Sequence, residues 1–514
     1  MKTHLSFHSL SLHLTPFHSL IIFSLFTFHF SLSHAQQPDA VFKLLRHEWT
    51  LNADGSSDYH YRHEVQILRN RALTAYADKG ETFVVYNPDL EELTINEVYT
   101  RQLDGTRVEM PQNAFVYQLP SECADCGRFN HMRELAMVHT GMELGCVIVV
   151  DYTIHRRYNL LYETLPLQRE CPVEKLEVVV NYPNDMDVKW DFLGNQYLPD
   201  GGVTRTSKIN TDNAVKTLQF ALVNMPQAPR EPYMPADIVP TLHLYNSLPE
   251  HTPTFDQKPF AAASDAMGQV ITGTDEHMNV AKVRDFVVDN IHLNDIHPSH
   301  LGYVHSTPDV TWQTGCGTAI DKAVLLAAIL NKEGYRARVI GDNMDEVGVF
   351  IDTVEYRLNV RRKEPIDING KARDEVETFE YTGEEDAPVV ALEDGFFSLH
   401  IPAIPHPLSL PDVDRLPYVR TTPLSTTACD VNVEQTFSIS KGLKLVGGDI
   451  IRKTSHDGIG RVEVSIRQKG DKIKVVRRIK IEKTLIPVEE YAKFRELLTT
   501  WNGDTGILLL APEK

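Results

Sequence analysis

Residues 315–335 read Gly-Cys-Gly-Thr-Ala-Ile-Asp-Lys-Ala-Val-Leu-Leu-Ala-Ala-Ile-Leu-Asn-Lys-Glu-Gly-Tyr. Thr318 followed three residues later by Asp321 makes a capping-box-like start, in which a hydroxyl and a carboxylate each take a backbone N–H that the first turn of a helix leaves unpaired. The run Ala323 to Leu330 is apolar on every side, so this helix belongs at the centre of a domain rather than on its surface. Gly334 supplies the stop. Strand-like segments follow at Arg336 to Ile340 and Val347 to Val360. Upstream, Val280, Val283, Val287 and Ile291 recur at helical spacing and predict a second helix over roughly Glu276 to Asn290.

Moving outward toward the N-terminus, residues 226–260 hold eight prolines between Pro226 and Pro259, which remove backbone donors and bias the chain to extended conformations. This is the clearest linker, and Leu242, Leu244, Tyr233 and Tyr245 offer it apolar anchors on its neighbours. From Val41 to about Val223 the pattern is strand-like: Tyr59, Tyr61, His63, Val65 and Ile67 alternate, and Asp54-Gly55 and Asp104-Gly105 mark hairpin turns. Further strands are expected at Val147 to Ile154 and Leu176 to Tyr182, an organisation that favours a sandwich. Toward the C-terminus, alternation at Val431 to Ser440, Val462 to Ile466 and Lys472 to Ile481 predicts a mostly β region. Pro487 opens a final helix with Tyr491, Phe494, Leu497, Leu498 and Trp501 on one face.

The first residues carry Lys2, an apolar stretch from Leu20 to Phe28 and Ser33-His34-Ala35 ahead of Gln36, the layout of a secretory signal peptide. The expectation is an exported, periplasmic or extracellular protein. The longest later apolar run, Ala323 to Leu330, is too short for a membrane helix, so no transmembrane segment is expected after signal cleavage. With 51 basic against 70 acidic residues the net charge is −19, which repels phosphate backbones and argues against nucleic acid as a partner. The basic stretch Arg461 to Lys483 reads as the wet face of strands. Six cysteines are few for 514 residues, so disulfides are not the main source of stability. Cys123-Ala124-Asp125-Cys126 reads as a loop disulfide or as free thiols.

The order of β-rich domain, proline linker, a Gly-x-x-x-Asp-x-Ala segment opening an apolar helix, and Gly-Tyr-x-Ala at its end resembles secreted bacterial transglutaminase-like proteins that carry an N-terminal domain of unknown function. The resemblance implies a multi-domain α+β chain: a signal peptide at 1–35, an N-terminal β-sandwich at 36–225, the proline-rich linker at 226–260, a papain/transglutaminase-like α+β core at 261–385, and a C-terminal β domain with a terminal helix at 386–514. In that superfamily a cysteine at the first turn of the central helix is the nucleophile, a histidine on the next strand takes its proton, and an aspartate orients the imidazole.

Laid over Gly317-Thr318-Ala319-Ile320-Asp321-Lys322-Ala323, the family pattern puts Ala319 where the cysteine belongs. Between Gly317 and Leu399 there is no histidine, and Asp352 occupies the position matched to it. The reading is therefore a catalytically degenerate core, a pseudoenzyme that binds a peptide, protein or glycan of the cell envelope, with no cofactor and no metal. The alternative is a cysteine peptidase or protein-glutamine acyl transferase using Cys316, with a histidine from among His297, His300, His305, His400 and His406. A weaker idea is a metal site at His292, His297, His300 and His305.

Overall fold

The structure is a computed structural model that describes residues 38–78, 82–194, 204–212, 215–235, 238–246, 276–340, 347–352, 356–363, 376–385, 389–401, 410–502 and 506–513. The expected signal segment, the proline-rich linker beyond residue 246, and His406 lie outside the described residues.

The chain is mostly β, with eight sheets and five α-helices among the described residues. This corrects the expected α+β class. The helices are α1 (Asn70–Asp78), α2 (Glu276–Asn290), α3 (Pro308–Thr314), α4 (Ala319–Lys332) and α5 (Tyr491–Asn502). The helical period in the centre of the sequence is strong but local, whereas the large sheet depends in part on pairing strands far apart in sequence, such as Ala40–Leu51 with Val173–Pro183.

The N-terminal part is built on one eight-stranded sheet in the order Thr204–Asp212, Val215–Met225, Val173–Pro183, Ala40–Leu51, Ser57–Ile67, Val147–Arg156, Glu91–Arg101, Arg107–Glu109. All of its pairings are antiparallel except that of Ala40–Leu51 with Val173–Pro183. The Asp54-Gly55 and Asp104-Gly105 turns form as read, with both glycines at φ near +90°. The apolar side of this sheet, with Leu45, Trp49, Val178 and Phe220, shares a core with Leu242 and Leu244 of one three-stranded sheet and with Val84, Leu135 and Met137 of another. A large sheet roofed by two small ones thus replaces the expected two-layer sandwich.

The first small sheet runs Lys189–Leu193, Thr241–Tyr245, Tyr162–Pro166. Its middle strand comes from the proline-rich stretch, where Leu242 and Leu244 are fully buried. The same stretch reaches the C-terminal region: Glu231 accepts hydrogen bonds from the backbone N–H groups of Thr421 (2.9 Å) and Thr422 (3.0 Å).

In the central part, α4 packs on α2, α3 and an antiparallel sheet of Ala337–Ile340, Gly348–Ile351 and Tyr356–Asn359. Val280, Val283, Val287 and Ile291 join Ala323 to Ala327, Ile329 and Leu330 in one core, as their spacing predicts. The C-terminal part has a five-stranded sheet whose core includes the five residues named for the final helix, Tyr491, Phe494, Leu497, Leu498 and Trp501. Lys472, Lys474 and Arg478 on its open side pair with Glu384 and Glu434. Among the described residues no helix is long and apolar enough to cross a membrane.

Candidate functional site

The start of α4 is held by buried polar contacts. Thr318 Oγ1 accepts from the Asp321 N–H (3.3 Å), and Asp321 Oδ2 accepts from the Thr318 N–H (2.8 Å) and hydroxyl (3.0 Å), completing the capping box. The second oxygen, Oδ1, accepts from the Ser306 N–H at 2.6 Å, and the Arg128 guanidinium lies 3.6 Å from Oδ2. Asp321 is fully buried, so both oxygens depend on these donors. Gly317 precedes the cap because a Cβ there would come within 2.8 Å of Asp321 Cβ. The aspartate of the motif is thus a structural clamp tying the helix start to the Ser306 loop.

A cleft of about 650 Å³ opens at this helix start. Thr318, Ala319 and Ile320 line one side, Asn294 to Pro298 a second, and Tyr162, Thr164 and Pro166 of the N-terminal part a third, with Arg361 at the margin paired to Asp295. Ala319, the position at which the sequence resemblance expects a nucleophile, is the first residue of α4 and lines this cleft.

Cys316 does not line the cleft. It is buried and forms a disulfide with Cys126, with Cα atoms 5.9 Å apart. This corrects the reading of Cys123-Ala124-Asp125-Cys126 as a loop disulfide or free thiols: Cys123 is free, but Cys126 is bonded outside the motif, to a residue 190 positions away. Cys123 remains a thiol in the same apolar cluster, with Phe129, Met132 and Ile296. Burial, with Glu122 and Glu134 adding to it, pushes that thiol up to about 11.

Of the other expected site residues, Asp352 follows strand Gly348–Ile351, is exposed, and pairs with Arg338 at 3.4 Å, outside the cleft lining. His297 borders the cleft, where its Nδ1 meets Ser299 Oγ at 2.7 Å. His300 meets Glu91 at 3.0 Å, and His305 contacts the Ser306 carbonyl. His400 sits in a separate C-terminal sheet. Among the described residues no three His, Cys, Asp or Glu side chains gather to hold a metal ion, so the four histidines from His292 to His305 do not form one.

One network escaped the sequence reading. Glu91, buried on the large sheet, receives Arg156 Nε (3.2 Å) on one oxygen and both His300 Nδ1 (3.0 Å) and the Asn87 N–H (2.7 Å) on the other. Burial raises the Glu91 carboxyl, but the His300 hydrogen bond and the charges of His300 and Arg156 outweigh it and hold it below the usual value. Arg156 also reaches Glu163 (3.1 Å), and the Asn87 side chain donates to the His300 carbonyl (2.6 Å). These bonds fix the 297–303 segment, and with it one wall of the cleft, against the N-terminal part. No local period signals a contact between residues more than 200 apart.

Two stretches of the chain match family models. Residues 53–227 match DUF3857 and residues 413–510 match DUF3858, each described as a domain of unknown function with a solved structure. The helix start and Ala319 fall between them. The fold resembles the crystal structure of a candidate protease from Parabacteroides distasonis, with a TM-score of 0.77 and 24% identity over 92% of this chain and 99% of that one. An M1 zinc metallopeptidase from Deinococcus radiodurans matches with a TM-score of 0.18 and 10% identity over 58% of this chain and 64% of that one, too loose a superposition to bear on the site. No curated protein matches the chain.

Proposed function

We propose that this is an exported, non-catalytic binding module of the cell envelope, whose cleft at the start of α4 holds a peptide, a protein segment or a glycan. The observation that carries this reading is Ala319. It lines the cleft at the first turn of the helix, where the transglutaminase-like resemblance expects the nucleophile, and a methyl group cannot attack an acyl carbon.

The neighbouring groups support the same reading. Cys316 is bonded to Cys126 and buried, so it offers no thiolate, and Asp352 is occupied by Arg338 outside the cleft. A disulfide across 190 residues suits an oxidising compartment, in keeping with the signal-like N-terminus. The cleft itself retains what a binder needs: concave walls, apolar Ile296, Ile320 and Pro298, and polar Thr164, Asn294 and Arg361. Isothermal titration with capped peptides and with glycopeptides tests the proposal. Saturable heat is expected with at least one class, weakened about tenfold when Ile320→Trp fills the cleft. Absence of heat with every ligand would refute the binding role.

A further inference from the structure

We propose that the cleft selects an extended peptide by its backbone, through strand addition at Thr164 on the outer edge of the strand Tyr162–Pro166. The inference rests on the binding role above and names the ligand class for the same site.

In the small sheet Lys189–Leu193, Thr241–Tyr245, Tyr162–Pro166, the last strand is terminal, with no further pairing among the described residues. Two hydrogen bonds just beyond its ends establish which way its backbone faces. Asn246 N–H donates to the Leu161 carbonyl (3.0 Å), and Leu167 N–H donates to the Pro240 carbonyl (2.8 Å). Because backbone groups alternate sides along a strand, the odd-numbered residues face Thr241–Tyr245 and the even-numbered Tyr162, Thr164 and Pro166 face away from it. Those three residues are the ones that line the cleft.

The edge is closed at one end. The Tyr162 N–H donates to the Tyr303 hydroxyl (3.2 Å), and that hydroxyl donates to the Tyr162 carbonyl (3.0 Å). Pro166 has no N–H to offer but keeps its carbonyl. What faces the cleft is therefore the Thr164 N–H and carbonyl, with the Pro166 carbonyl beyond. A donor and an acceptor presented together on one residue of a strand edge match one residue of an antiparallel peptide, which exchanges both bonds with Thr164. Exposed edges invite indiscriminate pairing. Here the edge lies within a cleft that Ile296 and Thr318–Ile320 also line, and Ala319 adds only a methyl group to that lining.

The test uses fluorescence anisotropy with a labelled pool of N-acetylated, C-amidated hexapeptides, and a matching pool in which alternate backbone amides are N-methylated. Thr164→Pro removes the outward N–H without breaking a bond to Thr241–Tyr245, and Thr164→Val keeps the backbone while removing the hydroxyl. The expected result is binding of the unmethylated pool, a loss of about tenfold on methylation or in Thr164→Pro, as for one or two lost hydrogen bonds, and a smaller loss in Thr164→Val, which keeps the backbone donor. Thr164→Pro is first checked for an unchanged melting profile, and the methylated pool tests the same bonds on the unmodified protein. If both pools bind the unmodified protein equally and Ile320→Trp still weakens binding about tenfold, strand addition is overturned while the cleft remains a binding site. If neither pool binds but glycopeptides do, the peptide class is overturned. If nothing binds, both readings fall.

Discussion

Removing the Cys126–Cys316 bridge should destabilise the protein far more than removing the neighbouring Cys123 thiol. The bridge closes a span of 190 residues, for which the chain-entropy model gives about 5 kcal/mol of stabilisation through the unfolded state. That is comparable to the whole stability of many domains. In Cys126→Ala/Cys316→Ala, with a urea slope of about 2.5 kcal/mol/M, the midpoint should fall by about 2 M. Intrinsic fluorescence in urea is a suitable assay because Trp49 lies in the N-terminal core and Trp312 stacks on Phe286 in the central part with ring centroids 5.6 Å apart. Cys123→Ala should follow the unmodified curve closely. Identical midpoints for the oxidised and the doubly substituted proteins would refute the reasoning. So would a non-reducing peptide map in which Cys126 and Cys316 are both freely alkylated.

Stability should also fall with acid. Burial, helped by His139 and Arg169, pulls His63 down to about 3, and burial pulls His139 down to about 4, so both stay neutral in the folded core while the unfolded chain takes up protons below about 6.5. The stabilisation is complete above that pH and is lost as pH falls toward 4; for His139 alone the loss between pH 7 and 5 is about 2 kcal/mol. Urea midpoints at the two pH values check it, and His139→Gln should remove about half of the difference, His63 keeping the rest. Asp321→Ala strands the Ser306 and Thr318 donors and should cost about 3 kcal/mol by thermal melting, with Asp321→Asn intermediate. Glu91→Ala leaves Arg156 buried with Glu163 as its remaining carboxylate partner and should cost about 3 kcal/mol, with hydrogen exchange rising in the 297–303 segment.

What could be read from sequence was local. The capping box at Thr318, the helix over Glu276–Asn290 and the buried face of α5 each declare themselves within a few turns, because caps and a 3.6-residue period need only neighbours. The class of the fold did not, because the eight-stranded sheet depends on pairing Ala40–Leu51 with Val173–Pro183, some 130 residues away. Strand Thr241–Tyr245 was masked by the prolines around it, although Pro240 uses only its carbonyl and leaves the ladder intact. At the site, Ala319 was legible as a position, but the wall that faces it comes from Tyr162, Thr164 and Pro166, which no motif marks. The fate of Cys316 was hidden for the same reason: spacing suggests Cys123 as the partner of Cys126, whereas the fold brings up Cys316.

The central claim is that the cleft binds without catalysing. Hydrolysis of a fluorogenic peptide pool and amine incorporation into a glutamine-containing peptide should be measured for the oxidised protein, for the protein after mild reduction, and for Cys316→Ala. No turnover above buffer is expected in any of the three. Turnover that appears on reduction and disappears in Cys316→Ala would contradict the claim and make Cys316 a masked nucleophile.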